Sequence, residues 1–154
     1  MNAAVNVPAK GPVNAPARSV APDFLDWSPD AGWHLTGRRC GSCHEDLYGR
    51  QDLYCPACGE QSLTDVAFTG RGTVWAYTIL RNPPPGPRRA EDPELPCPLA
   101  LVELEDAALR ISVPLAVPAD RVRIGLPVEL APRSLYADDD GTEVVGIRFE
   151  EVQA

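Results

Sequence analysis

Apolar and polar residues alternate in several short stretches of the second half of the chain, as they do in half-buried β-strands. Residues 66–80, "VAFTGRGTVWAYTIL", are rich in β-branched and aromatic side chains and predict a strand from about residue 72 to Leu80. Four further strands are predicted in "PLALVELED" (98–106), "ALRISVPL" (108–115), "PVELA" (127–131) and "GTEVVGIRFEEV" (141–152). Glycine and proline separate these stretches and no amphipathic helix is evident, so we expect a mainly β fold with a five-stranded barrel. An SH3-like barrel and a small sandwich fit the same pattern.

The first third of the chain has a different texture. Residues 1–21 show neither helical nor strand periodicity, which predicts a flexible tail. Residues 22–36, "PDFLDWSPDAGWHLT", are rich in large apolar side chains. Pro29 follows Ser28, a pair that is typical of a helix start, so a short helical segment is predicted here. Trp27 and Trp33 either cover the core of the chain or anchor another protein.

Proline also dominates residues 81–96, "RNPPPGPRRAEDPELP", which predicts a long loop because proline removes backbone donors and fixes φ. The 154 residues include 17 prolines and 12 glycines and suffice for one domain or two small ones. No apolar run approaches the roughly 20 residues that span a bilayer. The first residues contain no apolar block of the signal-peptide type, so we expect a cytoplasmic protein.

The formal net charge of −8 argues against a general nucleic-acid binder, which needs a basic face to meet phosphates. The charge is unevenly distributed, with seven arginines and five acidic residues in 34–89 but five arginines and fourteen acidic residues in 90–154. Two interpretations remain open. Both halves simply present solvated charge, or the arginines of the first half face an anionic ligand or an acidic partner.

Four of the five cysteines lie in "RRCGSCHEDLYGRQDLYCPACGE", residues 38–60, as two Cys-x-x-Cys pairs separated by eleven residues. The predicted metal ligands are Cys40, Cys43, Cys55 and Cys58. Zinc accepts four thiolates in a tetrahedral arrangement, and small residues within each pair leave backbone N–H groups free to point at sulfur. Four thiolates leave no coordination position for substrate or water, so a structural Zn²⁺ is expected. Iron would fit the same ligands, in an electron-transfer protein.

Three other residues invite a chemical role. With four cysteines available as ligands, His44 is predicted to lie at the surface beside the site rather than on the metal. His34 is predicted to be a packing or solvent-facing residue. Cys97 has no neighbouring base in the sequence and is predicted to be buried as a small apolar side chain.

The order of these features resembles a known family, the OB-fold proteins with a rubredoxin-like zinc ribbon, formerly described as a domain of unknown function. The resemblance covers residues 22–152 and is carried by "CGSC", "CPACG", "GRGTVWAYTIL", "PCPLALVELEDA" and "VRIGLPVEL". It implies a zinc ribbon at 37–62 and an OB-fold domain at 63–154. The chain departs from the common pattern in its long N-terminal segment and in His44, which stands where a glycine often follows the first cysteine pair.

Members of that family accompany enzymes of the thiolase superfamily. The resemblance therefore implies a non-catalytic accessory subunit of a thiolase-like acyl-CoA acyltransferase or thiolase complex, with the catalytic residues in the partner subunit. This chain would scaffold the hetero-oligomer and help to form the acyl-CoA path. The alternatives are a single-stranded nucleic-acid-binding protein, since zinc ribbons and OB-folds both bind nucleic acids, and the iron protein already mentioned.

Several residues near the cysteine pairs are candidate contacts for the CoA phosphates or for the partner subunit. They are Arg38, Arg39, Arg50, Arg71, Arg81, Trp27 and Trp33. Ordinary solvation of the arginines is the competing explanation.

Overall fold

The computed structural model describes residues 17–89 and 92–153, and within these ranges the regular structure consists of β-strands, with no helix. No helix in the described part of the chain could therefore cross a membrane. The strands are β1 (Ala17–Ser19), β2 (Leu25–Ser28), β3 (Gly32–Cys40), β4 (Asp46–Tyr48), β5 (Leu63–Phe68), β6 (Arg71–Leu80), β7 (Cys97–Leu104), β8 (Arg110–Pro114), β9 (Pro127–Leu130), β10 (Arg133–Ala137), β11 (Glu143–Gly146) and β12 (Phe149–Glu151).

Five of these strands form a closed barrel, in the order β12-β9-β6-β7-β8 with antiparallel neighbours. A parallel bridge between Leu115 and Phe149 joins the two ends of this order, and the amide of Ala116 donates to the carbonyl of Phe149 at 2.7 Å. Closure removes the free sheet edges that a five-stranded open sheet would leave. The barrel predicted from the alternating pattern is confirmed.

Alternation along the barrel strands builds its core. In β7, Ala100, Val102 and Leu104 are buried at every second position, as the two-residue period of a strand requires. Ile111 and Val113 of β8 face them from the neighbouring strand. The final predicted strand, 141–152, is divided into β11 and β12, and only β12 belongs to the barrel.

The four cysteines lie beside a second sheet, which we call the cysteine sheet and which consists of β2, β3, β4 and β5. Strand β3 is its centre, because it pairs with β2 and β4 along one edge and with β5 along the other. Leu35 of β3 and Phe68 of β5 lie opposite each other and belong to the same buried cluster as the barrel core. The cysteine sheet and the barrel therefore share one hydrophobic core.

The short helix predicted within residues 22–36 is wrong, because this segment is the β2–β3 hairpin. The Ser28 side chain does accept a hydrogen bond from a backbone amide, that of Ala31 at 3.2 Å, but it closes a turn rather than starting a helix. Gly32 has φ of 65°, a value that does not continue a right-handed helix. Pairing also buries Leu25 opposite Leu35, and both are fully buried.

A third, small sheet has the order β1-β11-β10, with β1 parallel to β11. Residues 1–16 of the predicted flexible tail lie outside the described residues. The part of that segment that is described includes strand β1, so Ala17–Ser19 is ordered against Glu143–Val145.

Asp46 joins the cysteine sheet to the barrel. Its side chain is buried and accepts hydrogen bonds from Nε of Arg39 at 2.6 Å and from the amide of Ala108, in the β7–β8 turn, at 3.1 Å. The hydrogen bond from Arg39 is the main reason that the pKa of Asp46 is lowered, and the amide of Ala108 acts in the same direction against the effect of burial. A charged Asp46 therefore stabilises the contact between the two sheets.

Replacing Asp46 by alanine should lower the free energy of unfolding by about 2 kcal/mol, because the Ala108 amide loses its acceptor in a partly buried place. Since the folded pKa of Asp46 lies below the unfolded value of about 3.9, its contribution is present above that value and disappears as the pH falls through the folded pKa. Urea unfolding at pH 7 and in acid measures both effects. Asp46→Asn, which keeps an acceptor without the charge, should be milder at pH 7. Equal pH dependence in the wild type and both variants would contradict this role.

Candidate metal centre

The two Cys-x-x-Cys turns have the same backbone geometry. In the first, the amide of His44 donates to the carbonyl of Cys40 at 3.0 Å, and the amide of Cys40 donates to Glu45 at 3.0 Å. In the second, Gly59 and Cys55 repeat both bonds at 2.8 Å, with Glu60 in the place of Glu45. Each turn buries its first cysteine and leaves its second exposed. The repeated geometry places two pairs of sulfur atoms face to face.

The four Sγ atoms lie within 4.8 Å of one another. The Sγ atoms of Cys40 and Cys58 are 3.6 Å apart, as are those of Cys43 and Cys55. A tetrahedral ion with metal–sulfur distances of about 2.3 Å separates its ligands by about 3.8 Å, which falls inside this range. The predicted grouping of all four cysteines in one cluster that could hold a metal ion is therefore confirmed.

The first turn already favours thiolate at one sulfur. The amides of Cys43 and Ser42 lie 3.5 and 3.4 Å from Sγ of Cys40, and the amide of Cys43 has the largest part in lowering the pKa of Cys40 to about 6. For Cys43, the amide of Glu45 also favours thiolate, but partial desolvation of the sulfur atom and the neighbouring thiols raise its pKa to about 12. Like charges at this distance oppose each other, so four thiolates need a cation among them.

The arginines proposed as anion contacts are mostly engaged within the chain. Four of the five candidates form ion pairs with carboxylates at 2.6–3.4 Å. The pairs are Arg38 with Asp65, Arg39 with Asp46, Arg50 with Asp26, and Arg71 with Glu129. Arg81 is exposed at the end of β6 and has no such pair among the described residues. Whether any of the five contacts CoA or a partner remains a prediction.

The two candidate tryptophans are directly paired across the β2–β3 hairpin. Trp27 retains 44% of its maximal exposure and Trp33 is half-buried. Residues opposite each other in an antiparallel pair point to the same face, so the hairpin presents two indole rings together. Packing within the chain therefore accounts for only part of the pair, and the anchoring of a partner stays a prediction.

The remaining chemically interesting residues occupy separate places. His44 is exposed in the first turn and has φ of 64°, while His34 lies on β3 with Nδ1 2.9 Å from the carbonyl oxygen of Gly32. Cys97 is buried at the start of β7, where burial raises the pKa of its thiol and Sγ donates to the Pro98 carbonyl at 3.3 Å.

A stacked cation and aromatic pair on the barrel was not anticipated from the sequence. The guanidinium of Arg110 lies 4.2 Å from the ring centre of Trp75, and Trp75 remains 48% exposed. The two residues are far apart in the chain and meet because β6 and β8 flank β7. Alternation alone marks Trp75 as outward-facing but does not indicate its partner.

Replacing Cys58 by serine should abolish stable metal binding, because three thiolates and a hydroxyl bind zinc far less tightly than four thiolates. After dialysis against EDTA, we expect the variant to retain less than about a tenth of the metal that the wild type holds. Elemental analysis gives the stoichiometry, and the absorption spectrum separates colourless zinc from coloured iron. Cys97→Ser is the matched control and should retain its metal. An equal loss from both variants would contradict the assignment.

His44 and Gly59 occupy equivalent positions with left-handed backbone, at φ of 64° and 80°. Such a conformation costs a residue with a side chain about 1–2 kcal/mol, and glycine avoids most of this cost. We therefore expect His44→Gly to raise the stability of the metal-loaded protein by about 0.5–1 kcal/mol and Gly59→Ala to lower it by about 1 kcal/mol. Urea unfolding measures both. A clear loss of stability in His44→Gly would instead assign a stabilising contact to the imidazole.

Known proteins resemble this chain both in sequence and in fold. The sequence profile described as "ChsH2, C-terminal OB-fold domain" matches residues 65–133. A solved structure named "Ltp2-ChsH2(DUF35) aldolase" has 28% sequence identity and a TM-score of 0.57, over 77% of this chain and 84% of that chain. This match is too long to be confined to the barrel.

Two relatives show how far the similarity extends. The "Probable enoyl-CoA hydratase alpha subunit" of Thermomonospora curvata is 30% identical over 96 residues, which are 62% of this chain but 28% of that longer protein. The "DUF35 domain-containing scaffold protein" of Pyrococcus furiosus is 31% identical over 121 residues, covering 78% of this chain and 85% of that protein. With this identity over more than three quarters of both, the chain belongs to the family of DUF35 domain-containing scaffold proteins.

Proposed function

We propose that this protein is a non-catalytic accessory subunit of a thiolase-type or aldolase-type enzyme complex that acts on acyl-CoA. The observation that carries the proposal is the similarity to the Ltp2-ChsH2(DUF35) aldolase, which covers 77% of this chain and 84% of that chain. The relationship to the scaffold protein of Pyrococcus furiosus supports the same role. The catalytic groups would be supplied by the partner subunit. The thiolase-like acyltransferase is the more specific form of this proposal.

The metal in this proposal is a structural Zn²⁺ held by Cys40, Cys43, Cys55 and Cys58. Four thiolates close the coordination sphere, so the ion would stabilise the turns and take no part in the reaction. The first turn joins β3 to β4 and the second precedes β5, and both contain few buried apolar side chains of their own. A metal ion supplies the cross-link that so small a segment cannot obtain from hydrophobic burial.

The β2–β3 hairpin is the surface that we expect to contact the partner. Trp27 and Trp33 present adjacent indole rings there, and Trp27 is 44% exposed. Aromatic residues are enriched in the small group of interface residues that dominate binding energy, because they bury a large area at a small entropic cost. Arg50 bonds to Asp26 of β2 and to the carbonyl of Pro22, which holds the hairpin in place.

The ion pairs change which arginine is the best candidate for a contact with CoA. A phosphate that approached Arg38, Arg39, Arg50 or Arg71 would compete with a carboxylate of this chain. Arg81, which has no ion pair among the described residues and stands where β6 enters the loop, does not impose that competition. We therefore propose Arg81 as the first candidate for a CoA phosphate and the other four as contacts with secondary roles.

Co-expression with the thiolase-like or aldolase-like catalytic subunit encoded nearest to this chain should yield a stable hetero-oligomer, measured by size-exclusion chromatography with light scattering. We expect the pair to turn over acyl-CoA and this chain alone to show no turnover. Assays of thiolysis and of retro-aldol cleavage separate the two reaction types. Robust activity of this chain without any partner would contradict the proposal.

Trp27→Ala tests the contact surface within the same complex. Removing a central aromatic side chain from an interface costs about 2 kcal/mol or more, so the dissociation constant should rise about 30-fold. Tyr136→Ala is the control, because Tyr136 is similarly exposed, at 41%, but lies on β10 in the third sheet. Unchanged affinity in Trp27→Ala, or an equal loss in both variants, would remove the hairpin from the interface.

A further inference from the structure

A cavity of about 510 Å³ opens between the barrel and the third sheet. Its wall includes the end of the proline-rich loop, the chain after β8, the start of β10 and the residue before β12. The wall is polar and apolar in about equal parts, and its apolar part includes side chains such as Leu115, Val117 and Leu135. The volume lies within the range of about 300–1,000 Å³ that is usual for small-molecule sites.

Two half-buried arginines, Arg133 and Arg148, line this cavity. Among residues 17–89 and 92–153, neither forms an ion pair with a carboxylate. This distinguishes them from the four candidate arginines that are paired with carboxylates. Glu94 also lines the cavity, but it is exposed at the opening.

Most of the donors of these two groups remain available. A guanidinium has five N–H donors. Nε of Arg148 donates to the Ala131 carbonyl at 3.2 Å, and two nitrogens of Arg133 share the Asp92 carbonyl at 3.4 and 3.5 Å. The bond to Ala131 orients the Arg148 group, while its two terminal nitrogens have no hydrogen-bond acceptor among the described residues.

The surroundings favour a negative charge between the two arginines. Burial lowers the pKa of Arg148, and the positive charge of Arg133 acts in the same direction, whereas Glu150 opposes them. Partly desolvated like charges that lack a carboxylate are costly, and an anion offsets that cost. Guanidinium groups match planar carboxylates and phosphate oxygens with paired hydrogen bonds.

We propose that this cavity binds a small oxyanion with an apolar body, its carboxylate or phosphate held by Arg133 and Arg148. The apolar body would lie against Leu115, Val117 and Leu135. This inference goes beyond the proposed function and does not depend on it, because every residue of the site belongs to this chain. A failure to form a complex with a catalytic subunit would leave it unaffected.

Isothermal titration calorimetry on the full-length chain tests the site with four probes. Hexanoate and hexyl phosphate carry the two possible anionic groups on the same apolar body, inorganic phosphate lacks the body, and hexanamide lacks the charge. We expect at least one of the first two to bind with a dissociation constant of about 1 mM or tighter, and hexanamide at least about tenfold more weakly. The tighter of the two alkyl anions identifies the preferred group.

Arg133→Gln and Arg148→Gln should each weaken binding of that probe about 10- to 100-fold, since each removes charge-assisted hydrogen bonds. Arg123→Gln is the matched control, because it removes the same charge from an exposed side chain that does not line the cavity and should leave affinity within about twofold. Ala116→Leu leaves both arginines in place and narrows the cavity at an exposed wall position, so it should also weaken binding.

Cys97 is one of the residues that line the cavity, and alkylation of its thiol provides an independent readout. Bound hexanoate or hexyl phosphate should slow its alkylation, followed by mass spectrometry of the peptide that contains it. The inference would be overturned if neither hexanoate nor hexyl phosphate bound the wild type with a dissociation constant below about 10 mM. Hexanamide binding as tightly as the alkyl anions would also overturn it. So would a loss of affinity in Arg123→Gln equal to the losses in Arg133→Gln and Arg148→Gln.

Discussion

The pairing of β3 with β5 is the contact on which the rest of the structure depends. Six residue pairs join the two strands, from Leu35 opposite Phe68 to Cys40 opposite Leu63. One end of this ladder enters the barrel core and the other reaches the first cysteine. The metal centre is consequently attached to the same hydrophobic core that closes the barrel, and its position relative to the barrel is determined by backbone hydrogen bonds.

Asp46 adds a polar connection to that apolar one. Its carboxylate receives Arg39 from within the cysteine sheet and the Ala108 amide from the barrel. A buried carboxylate is tolerated because both donors are present, and it would be costly if either were lost. Together the two connections hold the cysteine sheet and the barrel in a constant arrangement.

The candidate arginines differ in whether a carboxylate of this chain is paired with them. Arg38, Arg39, Arg50 and Arg71 face carboxylates at 2.6–3.4 Å, so their charge is largely used within the chain. Arg133 and Arg148 share a cavity without such a partner among the described residues. A chain with a net charge of −8 can thus retain a local site for an anion, because the field near a cavity depends on its own walls more than on the total charge.

The sequence by itself determined the barrel strands and the cysteine cluster. Both depend on short-range regularities, namely the two-residue alternation of strands such as β7 and the fixed spacing of two Cys-x-x-Cys turns. It did not reveal that residues 22–36 form a hairpin, because Ser28 and Pro29 suit a turn as well as a helix start and only the pairing with β3 distinguishes them. The tertiary structure alone decided which charges are paired and which share a cavity. Arg133 begins β10 and Arg148 directly precedes β12, and both line the cavity beside the loop before β7. This arrangement is long-range, so no local sequence pattern encodes it.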